Sequence, residues 1–430
     1  MMRTTTRATM LIILALLLGA CSDRKPAEER QGGLPDTREE MVQVLLGSGD
    51  YAAIAYSGHR KVPRSVENTP TITETKEDLR ILAAMGIKLL RTYNTTLYPH
   101  SRRILQAIEE LKREDSGFEM HVMLGAWIQC KNAYQDGVDH MVEDEETNQR
   151  EIAEALRLAA AHPEVVRIIA VGNEATVTWQ AHYVPAGVIL KYVKMVEEAR
   201  EDGTIPAATL VTTSENWAAL GGEESYRGPE HTELLGSLDF LSLHTYAFHD
   251  TYYNKALVWA DPQETSLPVA EQAARAMERC IQLQNDQYQA VKDYLGELGL
   301  ETPIHIGETG WASLDNALYG PDGTHAASEY NAKLFYDAAR EWTGANGLTC
   351  FYFEAFDEPW KSDGTAGSEG HFGLFTVDGQ AKWALWDLVD AGAFEGLSRG
   401  GHAVGKTHGG DASVVEGQLL APRHWKFGED

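Results

Sequence analysis

Two glutamates stand where apolar runs end. Val165 to Val171 is a β-prone stretch closed by Gly172-Asn173-Glu174, and the run from Pro303 to Ile306 is closed by Gly307-Glu308-Thr309-Gly310-Trp311. Each carboxylate follows a segment that reads as a strand buried on both faces, whereas an arbitrary glutamate sits on the surface, solvated or salt-bridged. A carboxylate pair can divide its labour. One member stays protonated and the other ionised, which is what breaking a glycosidic bond requires, and in retaining enzymes the two lie about 5–5.5 Å apart. The two stretches are far apart in the chain, so only the fold can bring them together.

The other apolar runs end on useful chemistry as well. Ala52 to Tyr56 ends on a tyrosine, Ile87 to Tyr93 carries Arg91 and Tyr93, and Met120 to Trp127 ends on a tryptophan. Ala208 to Thr213 leads to Glu215 and Trp217, Leu238 to Leu243 leads to His244-Thr245-Tyr246, and Leu348 to Phe353 leads to Glu354, Asp357, Glu358 and Lys361. Carboxylates and aromatic rings dominate this set, which holds no Ser-His-Asp arrangement and no HExxH. Flat rings stack on the CH faces of sugars while charged groups bond their hydroxyls.

These residues must be positioned by what alternates with the strands. Helical spacing is read at 76–85, where Thr75 and Asp78 suggest a capping box, from Ser101, over 151–161, 186–200, 230–235, 268–298 and 328–342, and finally 381–389. Eight strand–helix alternations predict a single catalytic domain over 48–395, an α/β fold of the (β/α)8 TIM-barrel type with its functional groups at the strand C-termini. A doubly wound open sheet is the competing fold, and no Gly-x-Gly-x-x-Gly follows an early strand to support it.

The ends of the chain read differently. Residues 1–20 have a basic start (Arg3, Arg7), an apolar run and Leu18-Gly19-Ala20 before Cys21, the pattern of a lipoprotein signal peptide with Cys21 as the lipidation site. A membrane anchor in the cell envelope is therefore expected, with outer-membrane sorting suggested by Ser22. Residues 21–47 read as a flexible tether, and 396–430 as a Gly/His-rich irregular tail. Cys130, Cys280 and Cys350 lack CxxC spacing and read as small core residues. A net charge of −27 over 430 residues repels phosphate backbones, so nucleic acid is not an expected partner. No metal or organic cofactor is required, and a monomer is expected.

The stretches Val171 to Glu174, His244 to Tyr246, Ile306 to Trp311 and Phe351 to Lys361 resemble glycoside hydrolase family 17, the retaining β-1,3-glucan hydrolases and glucosyltransferases of clan A. The likeness runs in order from about Tyr51 to Leu388. It implies that Glu174 is the acid/base, Glu308 the nucleophile, Asn173 the partner of the sugar 2-hydroxyl, and Tyr246 the group holding the nucleophile ionised. Glu354, Glu358 and Lys361 match the family's third acidic cluster. Tyr56, Arg91, Tyr93, Trp127 and Trp311 are further candidates for binding the β-glucan. Glu215 is held in reserve. Hydrolysis and transglucosylation both remain open, as do a relative acting on β-1,4-glucan or mannan and a non-catalytic glucan-binding lipoprotein. The stretch 248–298 and the tail depart from the family pattern.

Overall fold

A computed structural model describes residues 34–362 and 367–424. The signal peptide, Cys21 and the first part of the tether lie outside the described residues. Eight parallel strands close into a barrel: β1 (Ala52–Ala55), β2 (Ile87–Arg91), β3 (His121–Ala126), β4 (Val166–Asn173), β5 (Leu210–Asn216), β6 (Leu241–His244), β7 (Ile304–Thr309) and β8 (Cys350–Tyr352). Their order around the barrel is β1-β8-β7-β6-β5-β4-β3-β2. All six residues of β3 and all six of β7 are buried, as strands walled by side chains inside and helices outside must be. The eight-fold barrel expected from the alternation is the fold observed.

Several local expectations need correction. The helix placed at 76–85 is α2 (Ile72–Ala84), and its capping box is Thr71 with Glu74. Thr71 Oγ1 accepts the Glu74 amide while the Glu74 carboxylate accepts the Thr71 amide. Thr75 instead bonds back to the Thr71 carbonyl inside the helix, and Asp78 is fully buried.

The tether is shorter than its polar composition suggested. Helix α1 (Arg38–Val42) continues into a π-turn over Gln43–Gly47, and Met41, Leu45 and Leu46 are buried. Leu46 accepts a hydrogen bond from the Thr349 hydroxyl just ahead of β8, and Arg38 pairs with Asp239 just ahead of β6. The apolar residues of 41–46 recur at helical spacing within a charged surround, so the segment packs once the barrel offers a surface. Up to residue 424 the tail is likewise part of the fold. Arg399 is buried against Asp78 of α2, and His408 bonds Glu329 at 2.9 Å. The helix expected over 381–389 is a 3-10 turn (Trp383–Leu385) followed by a short helix (Trp386–Asp390).

Two insertions bear on the site. A hairpin of Cys130–Lys131 and Asp139–Glu143 follows β3. The long helix α3 (Val269–Leu298) turns two glutamines inward to the ends of β6 and β7. Gln284 Nε2 donates to Thr309 Oγ1 at 2.5 Å, and Gln287 accepts from the Thr245 hydroxyl while donating to Asp250 at 3.0 Å. Buried amides need such partners, and here the partners flank Glu308 and Tyr246. Among the described residues Cys130, Cys280 and Cys350 are free thiols, and no helix is long and apolar enough to cross a membrane.

Candidate active site

β7 carries Glu308 to the barrel mouth. A side chain at Gly307 would put its Cβ 2.0 Å from Ser242 Oγ on β6, so only glycine lets the two strands approach there. Glu308 is buried, and its Oε2 accepts the Tyr246 hydroxyl at 2.8 Å while its Oε1 is ion-paired with Arg91 Nη1. Arg91, the last residue of β2, is fully buried. It also donates to the Gly307 carbonyl at 2.8 Å and, through Nη2, to Asn173 Oδ1 at 2.5 Å. Burial alone would push Glu308 up. The His244 imidazole, the Arg91 guanidinium and the Tyr246 and Tyr93 hydroxyls outweigh it and bring the carboxyl down to about 2.

Glu174 arrives by a different route. Gly172 has φ 83° and Glu174 itself φ 48°, a left-handed conformation that costs a non-glycine residue about 1–3 kcal/mol and persists only when its surroundings impose it. The surroundings do so here. The Glu174 amide donates to the Ser214 carbonyl at 2.8 Å, and the next two amides, Ala175 and Thr176, donate to the Glu215 carboxyl at 3.1 and 3.2 Å. Gln180 Nε2 holds Glu174 Oε2 at 2.7 Å. Glu215 is thus buried support for the loop and does not line the cleft. Burial pushes its carboxyl up to about 8 against the Thr176 hydrogen bonds, and the Glu174 charge adds to the rise.

The two glutamates meet at one imidazole. His244 Nδ1 is 3.1 Å from Glu174 Oε1 and 3.7 Å from Glu308 Oε2. Those oxygens can be no farther apart than the two distances laid end to end. That bound accommodates the roughly 5–5.5 Å separation of retaining enzymes.

A third group borders Glu308 through aromatic contacts. The Phe353 ring lies edge-on to both Tyr93 and Tyr246, and Lys361 Nζ sits 4.3 Å from its centroid. Lys361 bonds both oxygens of Glu354, at 2.7 and 2.8 Å, and Glu358 at 2.9 Å. Burial pushes Glu354 well above the carboxylate range despite Lys361, whereas Lys361 and Ser57 pull Glu358 below it against its own burial. Opposite, on the Glu174 side, Trp127 lies 4.4 Å from the His182 ring, and His182 Nε2 is 2.8 Å from the Asn173 carbonyl.

Glu174, Glu308, Asn173, Tyr246, Arg91, Tyr93, Trp127, Glu354, Glu358 and Lys361 are therefore gathered at one end of the barrel. Two candidates fall outside it. Tyr56 is buried between β1 and α2 with its hydroxyl on Asp78 at 3.0 Å. Trp311 is buried among Phe248, Trp259 and Phe335, its indole N–H donating to the Ala326 carbonyl at 2.8 Å. Neither ring can reach a sugar. His244 stands where the run Leu238 to Leu243 ends, in the motif it shares with Tyr246, whereas nothing in the sequence signals Gln180. No group of metal-binding residues occurs among the described residues.

Because Arg91 offsets the burial of Glu308, Arg91→Met is expected to raise the carboxyl toward and beyond the ordinary glutamate range. The acid limb of kcat/KM, which reports the free enzyme, then moves to higher pH by about a unit or more. Arg91→Lys, which keeps a cation, moves it less. The pH profiles of the two variants, each checked for folding by circular dichroism, measure this.

A buried ionised carboxylate facing a second carboxylate at a barrel mouth defines a glycosidase. The chain belongs to the BtgE/BtgC glycoside hydrolase family, whose domain matches residues 53–373. It is similar to an endo-laminarinase from Formosa, with 46% identity, 90% of this chain and 98% of that one covered, and a TM-score of 0.85. It is 26% identical over 314 residues to a glucan 1,3-β-glucosidase from Arthroderma benhamiae, covering 72% of this chain and 82% of the relative. A β-1,3-glucanosyltransferase from Rhizomucor miehei shares the fold, at 20% identity, a TM-score of 0.50 and coverage of 77% of this chain and 95% of that one.

Proposed function

We propose that the chain cleaves β-1,3-glucosidic bonds of laminarin-type glucan with retention of configuration. The observation that carries this is a pair of carboxylates that share one imidazole at the barrel mouth and differ in their other partners: Glu308 is held ionised by His244, Arg91 and Tyr246, and Glu174 is held by His244 and Gln180. Glu308 attacks the anomeric carbon as Glu174 gives its proton to the departing oxygen, leaving a glycosyl ester on Glu308 and a carboxylate on Glu174. Glu174 then takes a proton from water, whose oxygen displaces Glu308. Asn173, already bound to Arg91, is placed to meet the 2-hydroxyl. Tyr93, Glu354, Glu358 and Lys361 border the same ring, with Trp127 on the leaving-group side. The linkage is supported by the relatives, which are named for β-1,3-glucans.

Transfer to a second glucan is the alternative outcome of the same intermediate. It is favoured by the exposed ring of Tyr134, 63% accessible, bonded to His182 and close enough to Glu174 to feel its charge, which offers an acceptor a stacking surface. Laminari-oligosaccharide digests separate the two by product length, and proton NMR of the first product reads the anomer; an initially α-configured product sinks the retaining mechanism. We further infer that the protein works as a monomer in the cell envelope, lipid-anchored through Cys21 and probed by fatty-acid labelling that Cys21→Ala should abolish. The support for the anchor is the sequence pattern around that cysteine, and sedimentation of the purified protein tests the monomer.

A further inference from the structure

The inward stripe of α3 runs from Ala276 and Cys280 through Gln284 and Gln287 to Val291 and Leu295, the three- and four-residue spacing of a helix face laid on a core. Two members of that stripe are amides. Gln284 is fully buried and Gln287 nearly so, although a leucine or methionine would fill either position without burying polar atoms. Gln284 even leaves its Oε1 without a hydrogen-bond partner, which is destabilising in a buried group. Packing therefore does not account for glutamine here, and the partners of the two amides do.

Gln284 uses its Nε2 on two strands at once. It donates to Thr309 Oγ1 at 2.5 Å, at the end of β7, and to the Thr245 carbonyl at 3.3 Å, just past β6. Gln287, three residues on, accepts the Thr245 hydroxyl and donates from Nε2 to Asp250 Oδ2 at 3.0 Å. Asp250 belongs to the helix Ala247–Tyr253 that follows Tyr246. Thr309 comes directly after Glu308 in the chain and Thr245 directly before Tyr246, so one helix grips both shoulders of the 2.8 Å bond between Tyr246 and Glu308. The helix is itself held, because Arg279 donates to both oxygens of Glu264, at 2.8 and 2.9 Å, and Asn285 accepts the Trp342 indole N–H at 3.3 Å. Such rigidity matters for a nucleophile, since a misplacement of about 1 Å at a reacting group costs about a hundredfold in rate.

We propose that Gln284 and Gln287 are positioning residues for the attack: through Thr309, Thr245 and Asp250 they hold Glu308 and its tyrosine donor in register, so that the carboxylate meets the anomeric carbon along the line of displacement. This rests on the retaining-glucanase reading above and adds which part of the chain aims the nucleophile. The helix that does so lies in 248–298, the stretch whose sequence departs from the pattern of glycoside hydrolase family 17.

Gln284→Met and Gln287→Met keep side-chain length and delete the hydrogen bonds. On laminari-oligosaccharides each is expected to lower kcat about tenfold with KM changed less than twofold, because the cleft is untouched and only the aim is lost. Thr309→Val removes the Gln284 bond from the strand side and matches Gln284→Met; the double variant is no slower than either single one. Should a methionine variant not fold, as judged by circular dichroism, Thr309→Val carries the test. A readout without substrate is an infrared difference titration against Glu308→Gln. His244, Arg91, Tyr246 and Tyr93 together hold the Glu308 carboxyl low, and a loosened Tyr246 bond moves its protonation to higher pH. A lowered melting temperature with kcat and titration both unmoved makes the amides structural only and overturns the proposal, as do losses that multiply in the double variant. If the wild type cleaves no laminari-oligosaccharide, the glucan reading falls and the titration alone decides: a shift upholds the positioning role and no shift removes it.

Discussion

Glu308→Gln is expected to lower kcat on laminari-oligosaccharides by roughly four orders of magnitude or more, the scale seen when a covalent nucleophile is removed. The side chain is isosteric and its neighbours are fixed: Arg91 can still donate to the amide oxygen, and the Tyr246 hydroxyl can turn to accept from the amide nitrogen. The lost property is the negative charge that forms the bond to the anomeric carbon. The cavity itself persists, so substrate affinity falls far less than turnover. Azide added to Glu308→Ala, where the truncated side chain leaves room, should attack the anomeric carbon directly and yield the α-glycosyl azide. Glu308→Gln retaining even a tenth of wild-type kcat, or the β-azide from Glu308→Ala, assigns the nucleophile elsewhere.

Glu174→Ala should show the complementary signature. Loss of a general acid costs about 10²–10⁴-fold on a natural glucan, whose leaving alkoxide needs a proton. With a dinitrophenyl leaving group, which departs unaided, the first step is nearly spared. The glycosyl-enzyme then accumulates because no base activates water, and a burst of phenol precedes slow turnover. Azide intercepts that intermediate to give the β-azide. Opposite azide anomers from the two variants would separate the roles without reliance on rate constants. A Glu174→Ala enzyme equally slow on both leaving groups, with no burst, would falsify its assignment.

How far the sequence foretold this site depends on side-chain direction. Strand ends were legible because parallel strands buried on both faces read as apolar runs, and the residue after each run is a candidate by position alone. Direction past the strand end was not. Glu308 turns into the barrel while Thr309, one residue on, bonds Gln284 of α3 outside it, as alternation requires. Trp311 and Tyr56 continue outward into the helix layer, where their bulk fills core. The backbone at Glu174 breaks the alternation with a left-handed residue, which no composition rule for glutamate anticipates. The support from Glu215 and Gln180 was illegible for a related reason, since it depends on where a turn folds back in space. The packed segment 38–47 shows the opposite limit: a polar average concealed four buried apolar side chains, Met41, Val42, Leu45 and Leu46.

That segment has a geometric consequence. Its contacts with Thr349 and Asp239 fall where β8 and β6 begin, whereas the carboxylates stand where β4 and β7 finish. Residues 38–47 therefore act as a stopper in the floor of the barrel, at the pole opposite the cleft. Substitutions there change how firmly that floor is closed and leave the two carboxylates untouched.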